Sequence, residues 1–377
     1  MNLTRERPDA GNCDSNDNFL MQAIAAVADG KGGFAIDEVM IGAPGPGEVL
    51  VQIKASGVCH TDFKMLPHWP AMIMGHEGAG IVLQTGSGVT NVAIGDRVLL
   101  NWAMPCGNCF ACRSGLRNVC ENKPRVPKDR FLHRGKPIES SFGLGTMSTK
   151  TVVPHQALIK LDVEMPFTSA CILGCCVMTG YGSVVNAAKV DAGSSVVVLG
   201  AGAVGICCIQ AARIAGASAI VAVDVNPAKL DYARRFGATH AVLAVRADEG
   251  LMDAARRVRL LFDGRGADYA FECTSVPALG AAPLAMVRNG GTAVQISGIE
   301  QKVNIDMELF EWDKIYINPL YGKCVPERDF PKLLRHYRDK QLLLDEMVTG
   351  KYPLADLSRA FEDMLAGKNA KAVLVLE

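Results

Sequence analysis

The chain has 377 residues with 39 Lys plus Arg against 39 Asp plus Glu, so it lacks the basic excess expected of a nucleic-acid binder. That length predicts two globular units of roughly 150 to 200 residues each, both able to bury a core. The 13 cysteines are odd in number and cluster as CGNCFAC, CC and CC. This is metal-ligand spacing, and the usage points to a reducing, cytoplasmic setting rather than a disulfide framework.

Residues 1–20 are polar, lack the apolar stretch of a signal peptide, and read as a tail outside the fold. From Met21 to about Pro154, short apolar runs (AIAAVA, EVLVQIKASGV, GAGIVLQTG, DRVLLNW, STKTVVP) alternate with Gly and Pro, predicting a mainly β domain. Within it, Cys106, Cys109, Cys112 and Cys120 follow Cx2Cx2Cx7C. Four thiolates this close suit a closed, structural zinc site with no open position for substrate.

From about Ser194, apolar strands (SVVVLG, AIVAVD, HAVLA, YAFEC, GTAVQISG) alternate with helical patterns, predicting a doubly wound parallel sheet. The run from Val196 to Val223 has the length of a membrane span, but its four glycines, Gln210 and Arg213 read instead as strand, helix and strand buried together, with no membrane partner. Gly200, Gly202 and Gly205 match GxGxxG directly after SVVVL and before a helical pattern. Asp224 ends the next strand, where a carboxylate would accept ribose hydroxyls and repel a 2′-phosphate. The pair predicts NAD rather than NADP. After about Gly322, two helical patterns and a closing AVLVLE strand suggest a return to the first domain.

Cys59 in GVCHTD, His76 in GHEGAG, and Cys175 or Cys176 in GCCVMTGYG could supply three ligands of a catalytic zinc, although their spacing alone does not select them. Taken in order, GVCHTD, GHEGAG, CGNCFAC with Cys120, GCCVMTGYG, GAGAVG and VDVN resemble the zinc-containing medium-chain alcohol dehydrogenases, over nearly all the chain from Met21 onward. The resemblance implies an α/β fold: a GroES-like β catalytic domain (21–187 and 323–377) interrupted by a Rossmann domain (188–322). It also implies two zinc ions per chain, NAD, a small alcohol or aldehyde substrate, and a homodimer or tetramer.

Residue by residue, the resemblance makes Cys59 and His76 zinc ligands and selects Cys175, four residues before Thr179-Gly180, over Cys176. Thr61 takes the substrate's proton, Asp62 orients the histidine, and Glu77 approaches the metal as water exchanges. His60, Thr179, Val204, Lys229 and Lys371 become cofactor contacts, with Lys371 facing the pyrophosphate. Lys64 occupies a position where many relatives place the last histidine of a proton relay. The segment TDFKMLPHWPAMIM is short compared with liver-type enzymes, which implies an open entrance for bulky or aromatic substrates, with Trp102 and Phe142 lining the pocket. RGKPI after Cys120 resembles the liver-type, long-loop branch, which includes glutathione-adduct formaldehyde dehydrogenases with a basic residue near Arg125. A non-catalytic zinc and NAD-binding sensor is a further alternative. It would show eroded ligands, and none is eroded.

Overall fold

The structure is a computed structural model that describes residues 20–299 and 301–377. The tail expected over 1–20 lies, Leu20 aside, outside the described residues.

Two sheets build the first domain. One orders the strands Lys136–Pro137, Phe131–His133, Phe34–Ile41, Met21–Ala28, Met72–Ile73 and Glu139–Ser140. The other is organised on Glu48–Gly57, whose EVLVQIKASG is buried at eight of its ten positions, as a central strand requires. One edge of this strand takes Gly78–Thr85. The opposite edge is shared, Lys150–Pro154 pairing with its first half and the chain's last strand, Lys371–Val375, with Ala55–Gly57. Val58 N–H donates to the Ala372 carbonyl at 3.0 Å, so the C-terminus is stitched directly beside Cys59.

The second domain is a six-stranded sheet, parallel throughout, in the order His240–Leu243, Ala219–Asp224, Ser195–Leu199, Ala267–Glu272, Val287–Gln295 and Ile315–Ile317. Both faces are covered, which is why its strands read as continuous apolar runs. Val196 and Val198 pack with Ile206 and Leu230 on one side, while Val197 and Leu199 pack with Val258 and Met286 on the other. The order reverses beside Ser195–Leu199, and the crevice at that switch point is where such sheets bind ligands. The apolar run 196–223 is strand, helix Ala203–Ile214 and strand. No single described helix is long and apolar enough to cross a membrane.

Helix Cys176–Gly182 lies on helix Ala203–Ile214 through Gly180, where a Cβ would stand 2.5 Å from the Cβ of Cys207 and 2.8 Å from the Val204 carbonyl oxygen. Only glycine permits that approach. It ties the turn carrying Cys175 to the helix that opens the glycine-rich loop.

Candidate active site

Three separate elements deliver the dispersed ligands. Cys59 caps the short helix His60–Met65 at the end of the central strand, His76 precedes the strand Gly78–Thr85, and Cys175 sits at the break between Cys171–Gly174 and Cys176–Gly182. Their ligand atoms, together with a Glu77 carboxylate oxygen, lie within 4.8 Å of one another. Cys176 is turned away, its thiol donating to the Ile172 carbonyl at 3.6 Å.

His76 Nδ1 pairs with Asp62 Oδ1 at 2.9 Å, both side chains being buried, which leaves Nε2 as the ring nitrogen available to a metal. Burial pulls the His76 imidazole down, but the Asp62 carboxylate and Cys59 outweigh it and hold it well above its ordinary value. A hydrogen bond from Cys175, with help from His76, holds Cys59 well below the usual thiol range despite burial. That bond and burial push Cys175 up. Two sulfurs and one oriented imidazole nitrogen, converging with one thiol already biased to thiolate, form a donor set that fits zinc with one position open.

Behind this cluster Lys371, expected to face the cofactor pyrophosphate, makes a further set of contacts. Its ammonium is buried and committed to Glu77, 2.8 Å from Oε1 and 2.7 Å from Oε2, and it donates to the Val58 carbonyl at 3.0 Å. The strand pairing of Lys371–Val375 with Ala55–Gly57 puts it there, as a counter-ion to Glu77 beside the metal ligands. A Cβ on Gly57 would fall 2.0 Å from Glu77 Oε2, so glycine makes room for the carboxylate.

Thr61 is half-buried on the first turn beyond Cys59, and Lys64 is exposed on the same helix. Desolvation lowers the His60 imidazole, and the charges of Lys371, Lys229 and Lys64 lower it further against Cys59. Of these cations Lys371 is matched by Glu77, and Lys229 and Lys64 leave the flank of the site a positive field suited to an anionic cofactor.

The three glycines of the nucleotide loop serve different ends. Gly200 has φ +89°, which L side chains rarely adopt, and a Cβ on Gly205 would stand 1.9 Å from the Gly200 carbonyl oxygen. A Cβ on Gly202 would meet nothing within 4 Å: its freedom serves something outside the chain, a cradle that a pyrophosphate would fill. Asp224 accepts from Ala201 N–H at 2.8 Å and Asn226 N–H at 2.9 Å, fixing a carboxylate at the end of its strand. Val204, Thr179 and Lys229, all half-buried, lie on helices Ala203–Ile214, Cys176–Gly182 and Pro227–Phe236.

In the cysteine loop, the Sγ atoms of Cys106 and Cys112 are 4.0 Å apart, and those of Cys109 and Cys120 are 3.9 Å apart. Zinc–sulfur bonds of about 2.3 Å give tetrahedral edges of roughly 3.8 Å, so the set fits a closed zinc site. Backbone N–H groups already point at the sulfurs, and that of Cys112 holds the Cys109 thiol down to about 6.

Trp102 and Phe142 form one aromatic wall, ring centroids 5.4 Å apart, and Phe142 lies 4.7 Å from the His76 ring. They border a pocket of about 290 Å³ also lined by Met104, Phe131, Lys123 and Arg125.

The residues 45–163 match the model of the alcohol dehydrogenase GroES-like domain, and 203–337 that of the zinc-binding dehydrogenases. The chain is 34% identical over 361 residues to putative alcohol dehydrogenase D of Mycobacterium tuberculosis, covering 91% of this chain and 96% of that protein. It is 35% identical to the S-(hydroxymethyl)glutathione dehydrogenase of Escherichia coli, over 94% of this chain and 99% of that one. The chain belongs to the zinc-containing medium-chain alcohol dehydrogenase family. It is accordingly an NAD-dependent oxidoreductase acting on small molecules. Among solved structures, an alcohol dehydrogenase zinc-binding domain protein from Burkholderia ambifaria superposes with TM-score 0.87 at 32% identity, covering 95% of this chain and 100% of that one. Benzyl alcohol dehydrogenase from Acinetobacter calcoaceticus superposes with TM-score 0.86 at 27% identity, with the same coverage.

Two features of this alcohol dehydrogenase site have no local signature in the sequence. Tyr321, fully buried, donates its hydroxyl to the Gly174 carbonyl at 2.6 Å and packs tilted against Trp102 with ring centroids 4.5 Å apart, bracing the Cys175 turn against the pocket wall. The Lys123 ammonium stands 5.0 Å over the Trp102 ring. Tyr321 lies 147 residues from its acceptor, and no local pattern joins them.

Proposed function

We propose that this enzyme interconverts a primary aryl or allylic alcohol and its aldehyde with NAD, on a zinc held by Cys59, His76 and Cys175, with a structural zinc at Cys106, Cys109, Cys112 and Cys120. The observation that carries the reading is the convergence of those three ligand atoms against an aromatic wall of Phe142 and Trp102. When bound, zinc supplies a Lewis acid toward the substrate oxygen, and NAD accepts the hydride.

The chain's own residues do the rest. Asp62 fixes the ring and tautomer of His76. The Glu77–Lys371 pair keeps a carboxylate next to the ligands without leaving it unpaired. Thr61, two residues beyond Cys59, carries the hydroxyl placed to take the substrate's proton; exposed Lys64 and His60 on the same short helix border its route to solvent. Phe142 and Trp102 present ring faces that exclude water around the reacting carbon. The close packing through Gly180 sets the distance between the Cys175 turn and the glycine-rich loop, and so aligns substrate with cofactor.

A second reading, oxidation of a glutathione adduct of formaldehyde, is favoured by Arg125 at the pocket and by relatives of that activity. A panel of benzyl, cinnamyl and short aliphatic alcohols and S-(hydroxymethyl)glutathione, assayed by NADH formation, separates the two. Highest kcat/KM with aryl or allylic alcohols is the expected result. Turnover confined to short aliphatic alcohols or to the adduct would overturn it.

A further inference from the structure

Between Cys112 and Cys120 the turn Arg117–Val119 places Asn118 two residues before a sulfur of the four-cysteine site and buries it. Asn118 Nδ2 donates to the Leu320 carbonyl at 2.7 Å, and Arg117 on the same turn is ion-paired with Glu327. The Leu320 carbonyl belongs to the peptide that enters Tyr321, so Asn118 fixes the plane from which Tyr321 departs. Tyr321, Gly322 and Lys323 then run at φ +52°, +60° and +51°. Tyrosine and lysine hold that left-handed conformation only where the surroundings overdetermine it. Here Asn118 grips one end, the Tyr321 ring packs on Trp102, and Gly322 sits on Gly182, where a Cβ would stand 2.4 Å from the Gly322 carbonyl oxygen. At the other end the Tyr321 hydroxyl donates to the Gly174 carbonyl at 2.6 Å. That carbonyl belongs to the peptide that enters Cys175, whose φ of −143° and ψ of −85° fit neither helix nor strand.

Resting on the two-zinc reading of the proposed function, we propose that the four-cysteine site positions the catalytic ligand Cys175 through Asn118 and Tyr321, so that metal held at one site strengthens metal binding at the other. Both are positioning residues, each acting on the peptide that carries the next group. Metal closure of Cys106, Cys109, Cys112 and Cys120 fixes the turn that carries Asn118. Two buried hydrogen bonds in series then convert order in that loop into a set direction for the Cys175 sulfur. Because the link is a coupling between two binding equilibria, it works equally in both directions. Removing a group that orients a metal ligand costs about tenfold or more in metal affinity, which makes the link measurable at the metal itself.

The test follows zinc release from the zinc-loaded full chain to a chelating dye. The phase missing in Cys175→Ser reports the catalytic site, and the remaining phase reports the four-cysteine loop. Tyr321→Phe keeps the ring against Trp102 and loses only the hydroxyl; it should speed the catalytic phase about tenfold and leave the other phase unchanged. Asn118→Leu, or the smaller and still polar Asn118→Ser, should speed the catalytic phase roughly threefold with Tyr321 in place and add little once Tyr321 is phenylalanine. Arg113→Ala, in the same loop but outside the link, should not move that phase. In the cobalt-loaded chain, Tyr321→Phe should shift the ligand-field bands that Cys175→Ser abolishes. A catalytic phase that neither variant moves, fully additive effects of the two, or unshifted cobalt bands would overturn the link and leave the zinc reading standing. A wild-type chain with no Cys175-dependent release of zinc would overturn the zinc reading itself.

Discussion

Lys371→Met isolates the ion pair behind the metal ligands. The substitution removes an ammonium that makes two contacts to Glu77, at 2.7 and 2.8 Å, and one to the Val58 carbonyl at 3.0 Å, and leaves the Glu77 carboxylate buried without a counter-charge. Breaking one side of a buried pair costs about 3–5 kcal/mol, a large share of a typical stability of about 5–15 kcal/mol. Glu77→Gln keeps a carbonyl acceptor for the ammonium and should cost less, about 1–3 kcal/mol. The double variant leaves no buried charge unpaired, so the two effects should fall short of additivity by about 2 kcal/mol or more. Denaturant unfolding of the four proteins, followed by fluorescence of Trp69 and Trp102 in the first domain, gives the cycle. Additive effects within about 0.5 kcal/mol would refute the pairing. So would a Lys371→Met protein of wild-type stability that had lost only NADH affinity, which would make Lys371 the pyrophosphate contact that the family resemblance implies.

The glycine-rich loop makes a paired prediction: Gly205→Ala, whose Cβ would strike the Gly200 carbonyl, should lower the melting temperature and abolish NADH binding, whereas Gly202→Ala should melt like the wild type yet bind NADH about tenfold or more weakly, as read by thermal shift and NADH fluorescence titration. Asp224→Ser should narrow the preference for NAD over NADP by about tenfold or more in kcat/KM, and should also weaken NAD itself because Ala201 and Asn226 lose their acceptor. At the surface, a hydrogen bond from His133, the Glu38 N–H and Arg134 hold Asp37 well below its ordinary 3.8. A depressed carboxylate contributes stability above the unfolded value that is lost as pH falls through the folded one. The melting-temperature deficit of Asp37→Asn should therefore be present at pH 6 and shrink steadily below pH 3.8; a deficit unchanged down to pH 2 would refute the ion pair.

Much of this site is legible where its parts are close in sequence. Cys106 to Cys120 close a loop of fixed spacing, and Gly200 to Gly205 with Asp224 constitute one strand–helix–strand unit, so local pattern carries their chemistry. Cys59, His76 and Cys175 are delivered by three unconnected turns, and only the order of neighbouring motifs picks them out. What separates Cys175 from Cys176 is the backbone break at the start of helix Cys176–Gly182, which sends one thiol to the cluster and the other to the Ile172 carbonyl. The role of Lys371 is unreadable for a topological reason: its partner is 294 residues away, across a strand pairing that no periodicity announces.

Anomalous diffraction at the zinc edge from crystals of the zinc-loaded enzyme locates both metal sites in one measurement. Two peaks per chain are expected, one enclosed by Cys106, Cys109, Cys112 and Cys120, the other bounded by the sulfurs of Cys59 and Cys175 and Nε2 of His76, with Cys176 outside its reach. A single peak at the four-cysteine loop, or a second peak ligated by Cys176, would contradict it.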